Sequence, residues 1–293
     1  MKKFKIFLVI IGIVTLALGI MFMVIAFKNH SFGGSTITNT HNIEEAFDSL
    51  SFNLSTADLK LELAEDNKCT VTCVEKEKDT HTVKVENNTL VVVNERTYAW
   101  YEHLFDFSKL SVTVSLPKSE YKNIKVDSST SNIDISGISF KNVDLSGSTG
   151  DVKFDKIEMD DFKLDISTGN LSLTNSIINN NIIVDGSTGD VTITDTKAKD
   201  ITIEVSTGEV KLTNVLASSK IKVDTSTGDI TLSSVDAETL SLTASTGNIT
   251  GSLKTGKRFK AKASTGEVSV PNTDGGECVI ETSTGDITIT VLA

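Results

Sequence analysis

The sequence predicts an all-β chain: a parallel β-solenoid (β-helix) of about 19–20 residues per coil, preceded by one N-terminal transmembrane helix. Three observations carry this. An unbroken run of 22 residues without a charge, Ile6 to Phe27, stands near the N-terminus. Ser-Thr-Gly followed by Asp, Asn or Glu then occurs eight times, with glycine spacings of 19 or 20. Between those turns, apolar and polar residues alternate with period two.

Residues 1–5 form a cytoplasmic stub and 6–27 the membrane helix. At about 1.5 Å per residue the run spans roughly 33 Å, enough for a hydrocarbon core of about 30 Å. It is too long for a signal peptide, and no small-residue cleavage site follows it. Lys2, Lys3 and Lys5 precede it and only Lys28 follows closely, which places the N-terminus in the cytoplasm and the C-terminal domain outside the cell. Residues 28–46 read as a linker, flexible around Gly33-Gly34-Ser35-Thr36. Without the four flanking lysines the exterior part holds 24 basic and 39 acidic residues, a net charge of −15. Such a surface excludes nucleic acid as a partner.

Residues 47–293 form the ectodomain. Its first part, 47–120, reads as irregular membrane-proximal coils and a cap, with strands such as 84–93 and 110–116. The cysteines suggest no disulfide: Cys69 and Cys73 would share a strand face about 13 Å apart, and Cys278 sits at an apolar repeat position.

The regular repeats run from 121 to 293. Their turn glycines are Gly150, Gly169, Gly189, Gly208, Gly228, Gly247, Gly266 and Gly285, with worn copies at Ser129-Thr130-Ser131-Asn132 and Ser55-Thr56-Ala57-Asp58. Seven, five and three residues before Gly208 stand Ile201, Ile203 and Val205; two, four and seven after it stand Val210, Leu212 and Val215. The Gly228 and Gly169 repeats keep these offsets. A hairpin meander fits the offsets too. However, a type I′ hairpin turn needs positive φ at both central residues, which Thr resists, whereas Thr-Gly suits a type II corner. This favours the solenoid. One coil cannot offset its backbone entropy, so neighbours must stack on it.

The anchor, the strand-rich opening, Ser111-Val112-Thr113-Val114-Ser115-Leu116-Pro117 and the serial Ser-Thr-Gly-Asp turns together resemble the bacterial putative-adhesin family of β-strand-repeat proteins. That family includes LiaG-like membrane proteins encoded near envelope-stress systems. The resemblance covers about residues 47–293. It implies a parallel β-helix displayed at a bacterial surface, and it carries no catalytic residues.

Candidate chemistry is sparse. All four histidines lie in the first third of the chain, and the even glycine spacing leaves no room for a cleft-forming loop; no catalytic residue and no cofactor are expected. The turn acids Asp151, Asp190, Glu209, Asp229, Glu267 and Asp286 form a line that invites divalent cations. Structural capping of the turns is the simpler expectation, so no metal site is assigned. Tyr98, Trp100, Tyr101, Phe105 and Phe107 cluster in one short segment. They form the best candidate contact surface for a cell-wall glycan or protein partner, although plugging the solenoid end would also account for them. The C-terminal coil, ending in Ile287-Thr288-Ile289-Thr290-Val291-Leu292, would expose strand edges for end-to-end self-association. The functional expectation is a membrane-anchored, non-catalytic surface binding, adhesion or scaffold module. An accessory regulator or sensor of an envelope-stress system is the alternative, and a polysaccharide-acting β-helix enzyme a remote second.

Overall fold

The computed structural model describes residues 36–77, 79–94 and 109–292, together with Met21. The rest of the expected membrane helix and the aromatic segment 95–108 lie outside the described residues. Among the described residues no helix is long and apolar enough to cross a membrane.

Two thirteen-stranded sheets face one another across a single apolar lumen. Each rung contributes a long strand to one sheet, then a Ser-Thr-Gly corner, then a short strand to the other. In the Gly208 rung these strands are Lys197–Thr207 and Val210–Thr213. Rungs pair in parallel with an offset of one repeat: Val143 lies beside Phe162, Phe162 beside Ile182, and Ile182 beside Ile201. The six expected inward positions are buried in each of the Gly169, Gly208 and Gly228 rungs. Several inward hydroxyls bond within their own corners. Thr225 Oγ1 donates to the Gly228 carbonyl at 3.2 Å and Ser176 Oγ to the Thr174 carbonyl at 2.6 Å, as burial requires.

The turn geometry departs from the expected type II corner. Type II would set the glycine φ near +80°; in the Ser-Thr-Gly turns it lies between 135° and 149°, a region open essentially to glycine alone. The reason is a close approach between rungs. A Cβ on Gly208 would lie 2.0 Å from the carbonyl oxygen of Gly189, and the other turn glycines stack in the same way. A second corner, six residues after the turn glycine, holds Lys156, Asn175, Asp195, Asn214 and Ser234 at φ between 49° and 55°. Asn and Asp tolerate this left-handed conformation.

The rungs do not follow chain order at either end. Gly276–Thr284 pairs with Thr239–Thr246 on one side and Lys257–Thr265 on the other. Ile287–Val291 lies between Ile249–Leu253 and Val268–Ser269. The Gly285 rung is therefore inserted between the Gly247 and Gly266 rungs. This corrects the expectation of a bare C-terminal coil, because the outermost rung is that of Gly266. Composition explains the exchange. The Gly285 rung turns Cys278, Ile280, Ile287 and Ile289 fully into the lumen, whereas the Gly266 rung offers Ala261, Ala263 and only partly buried Phe259. The apolar-poor rung goes outside, and Arg258, Lys260 and Lys262 along its exposed edge oppose pairing with another chain.

At the other end, Ser49–Leu54 and Asp58–Leu63 pack directly on the rung of Glu120–Thr130 and Ile133–Ser136. A further parallel rung, Thr89–Asn94 with Ser111–Leu116, lies outside them. Antiparallel strands close this end: Cys69–Lys76 on Ser111–Leu116, Thr36–Ile43 on Cys69–Lys76, and His81–Glu86 on Thr89–Asn94. The expected linker thus begins its ordered course early, since Thr36–Ile43 is an edge strand. All three cysteines are free and buried.

Candidate functional site

The turn acids form a hydrogen-bonded ladder. Asp58 Oδ1 accepts from the Asn132 backbone N–H at 2.9 Å, Asn132 from Asp151, Asp151 from Asn170, Asn170 from Asp190, and Asp190 from Glu209. After one gap it resumes through Asp229, Asn248, Asp286 and Glu267, at 2.7–2.9 Å. The last three appear in spatial rather than chain order, which confirms the exchanged rungs independently. The gap falls where Glu209, one methylene longer than Asp, would have to cap Asp229. These side chains therefore complete the backbone of neighbouring corners, each accepting through one oxygen.

Tyr98, Trp100, Tyr101, Phe105 and Phe107 lie outside the described residues. Their flanks are placed, however. Thr89–Asn94 ends in one sheet and Ser111–Leu116 begins in the other. The rung therefore leaves one sheet at Asn94 and enters the other at Ser111, where the regular rungs use a Ser-Thr-Gly corner.

The cap holds a buried polar group that the sequence reading passed over. Glu75 is fully buried. Its Oε2 accepts from the His81 backbone N–H at 2.7 Å and lies 2.8 Å from His81 Nδ1, and its Oε1 accepts from Asn39 Nδ2 at 2.6 Å. Asp79, also buried, accepts from Asn94 Nδ2 at 3.0 Å. Cys73 stands two residues before Glu75 on the same inward face, and burial, with the Glu75 carboxylate nearby, pushes its thiol up to about 12. It is a thiol at neutral pH, sealed from substrate, and so a poor nucleophile. The signal in the sequence was the alternation Cys69, Val71, Cys73, Glu75: a charge on the face that should point inward.

Concavities are shallow. At the cap end a hollow of about 570 Å³ opens between Glu44, Asp66, Lys118 and Tyr121. Tyr121 stacks on Phe47 with ring centroids 5.7 Å apart, and burial pushes its phenol up to about 12. Another hollow, of about 640 Å³, runs over Ala198, Ala217 and Ala237, beside the buried Lys257. The carboxylates that line them, Glu44, Glu45 and Asp66 in the first and Asp236 and Glu238 in the second, are all at least partly exposed.

The Toastrack DUF4097 family model matches residues 47–246 and 219–293, and the chain belongs to that family. No curated protein matches it in sequence. Among solved structures it is similar to a putative lipid binding protein from Parabacteroides distasonis, at 16% identity and a TM-score of 0.51, covering 88% of this chain and 99% of that one. It is also similar to a putative adhesin from Bacteroides fragilis, at 15% identity and a TM-score of 0.47, with 88% and 99% covered. At 16% identity the first of these likenesses speaks for the fold alone.

Proposed function

We propose that this family member is a single-pass membrane protein whose rigid extracellular rod presents a contact surface to a cell-wall glycan or protein partner, without catalysis. The anchor is residues 6–27 and the contact surface the aromatic segment with Tyr98, Trp100, Tyr101, Phe105 and Phe107. The observation that carries this reading is where that segment is spliced in. The regular corners are short and locked to their neighbours by stacked glycines and the acid ladder. The rung that ends at Asn94 and resumes at Ser111 departs from this plan. A long aromatic-rich insertion on a stiff scaffold suits recognition. The shaft, with polar outward faces and a filled lumen, suits reach.

Site-specific photocrosslinking in intact cells tests the proposal. A crosslinker at Trp100 or Tyr101 should capture a discrete partner, while one at Lys211, exposed on the shaft, should capture none. Equal capture from both positions, or none from either, would contradict it. External protease should release the ectodomain from intact cells if the orientation is as proposed.

A further inference from the structure

The polar group in the cap sits apart from the contact surface proposed above. The Cys73 sulfur, a Glu75 carboxylate oxygen and a His81 ring nitrogen lie within 4.8 Å of one another, and all three residues are buried. Glu75 and Cys73 come from the strand Cys69–Lys76 in one sheet, and His81 from His81–Glu86 in the other. Glu75 Oε2, 2.8 Å from Nδ1, fixes the orientation of the imidazole ring. The remaining nitrogen, Nε2, is buried and has no hydrogen-bond partner among the described residues. A sealed ring nitrogen with nothing to bond carries a desolvation cost.

We infer that Cys73, Glu75 and His81 form a buried site for one zinc ion, with Cys73 Sγ, a Glu75 carboxylate oxygen and a His81 ring nitrogen as donors. Glu75 also supplies charge. On binding, the Cys73 thiol gives its proton to solvent. The thiolate and the Glu75 carboxylate then carry two negative charges against the two positive charges of the ion, so the buried group is neutral overall. A sulfur and an imidazole nitrogen favour zinc over calcium or magnesium, which take oxygen donors. The position gives the ion a task. Among the described residues no further parallel rung covers the lumen beyond this point, and the ion would tie the two sheets together where they would otherwise splay. Among the described residues Thr36–Ile43 and His81–Glu86 are both edge strands paired on one side only, so local opening offers a route in.

The test uses the purified full chain. Metal analysis after dialysis should find one equivalent of zinc. Replacement by cobalt(II) should give a thiolate-to-cobalt charge-transfer band in the near ultraviolet. Cys73→Ser and His81→Gln should each lose the ion and the band, and the double variant Cys69→Ser/Cys278→Ser should keep both. If Cys73→Ser does not fold, the double variant decides the matter alone, because Cys73 is then its only thiol and the cobalt band must still appear. Folded wild-type chain that retains no zinc and shows no cobalt band would overturn the inference, as would a band that survives in folded Cys73→Ser.

Discussion

The shaft and the cap hold their rungs together by different means. In the shaft each corner repeats the one before it. Glycine stacks on glycine with no room for a methyl group, and one Asx oxygen caps the next backbone N–H. In the cap the repeat has decayed. Ala57 and Ser131 stand where glycine would be, strands turn antiparallel, and a buried Glu75–His81–Asn39 network takes over. Periodic contacts can lengthen a solenoid but cannot end one. Each end therefore uses an aperiodic device: polar closure at the cap and a lysine-bearing, apolar-poor rung at the tip.

The sharpest way to break the shaft is Gly208→Ala. Its Cβ would sit 2.0 Å from the Gly189 carbonyl oxygen at a φ of 149°, so the rungs must separate. The expected loss is about 4 kcal/mol or more by urea unfolding of the full chain. At Gly137 a Cβ meets nothing within 4 Å and φ is 69°, so Gly137→Asn should change stability by no more than about 1 kcal/mol. Similar losses at the two positions would show that stacking does not matter.

In the cap, Glu75→Ala strands the buried His81 donor and the half-buried Asn39 donor and should cost about 2–4 kcal/mol. The exposed Lys222–Glu204 pair, at 2.6 Å, serves as the control: Lys222→Ala should cost below about 1 kcal/mol. Thermal unfolding of both variants ranks them, and a reversed order would refute the contrast between buried network and solvated face.

The acid ladder is worth less per step. Asp190→Ala removes the cap from Glu209 and should cost about 1 kcal/mol. Glu209→Asp shortens the side chain at the one gap and should gain roughly 0.5–1 kcal/mol by capping Asp229. A loss in Glu209→Asp would mean that the gap is not a matter of reach.

The smallest effect expected is a pH dependence near the tip. Burial tends to raise the Asp236 carboxyl, but hydrogen bonds from Lys257 Nζ and Thr255, both under 3 Å, outweigh it and hold the group below the usual carboxylate range. A folded value below the unfolded one stabilises the fold above about pH 4. That contribution is lost as pH falls through the lowered folded value. In Lys257→Met the stability difference between about pH 6 and about pH 3 should shrink; an unchanged difference would exclude the pairing as its source.

The sequence made the rung itself legible, because inward offsets such as Ile201, Ile203 and Val205 repeat around most of the turn glycines. Rung order was not legible. All rungs share one alternation and one turn, so exchanging the Gly266 and Gly285 rungs leaves every period intact. Only the difference in apolar content, Ala261 and Ala263 against Ile280 and Ile289, recorded the exchange. The glycine φ was misjudged because turn propensity describes a single chain, whereas the close approach of Gly189 to Gly208 belongs to two rungs. The cap cluster was missed because His81 and Glu75 meet across two sheets.

Rung order is the premise on which the account of both ends rests, and a disulfide pair tests it directly. Thr243 and Glu281 are register partners, as are Lys262 and Glu281, so Thr243 and Lys262 are two rungs apart. Neighbouring rungs lie about 4.8 Å apart and alternate rungs about 9.6 Å, beyond the roughly 7 Å that a disulfide spans. The account predicts that Thr243→Cys/Glu281→Cys oxidises readily in the folded chain while Thr243→Cys/Lys262→Cys does not. Ready oxidation of the second pair with failure of the first would contradict it.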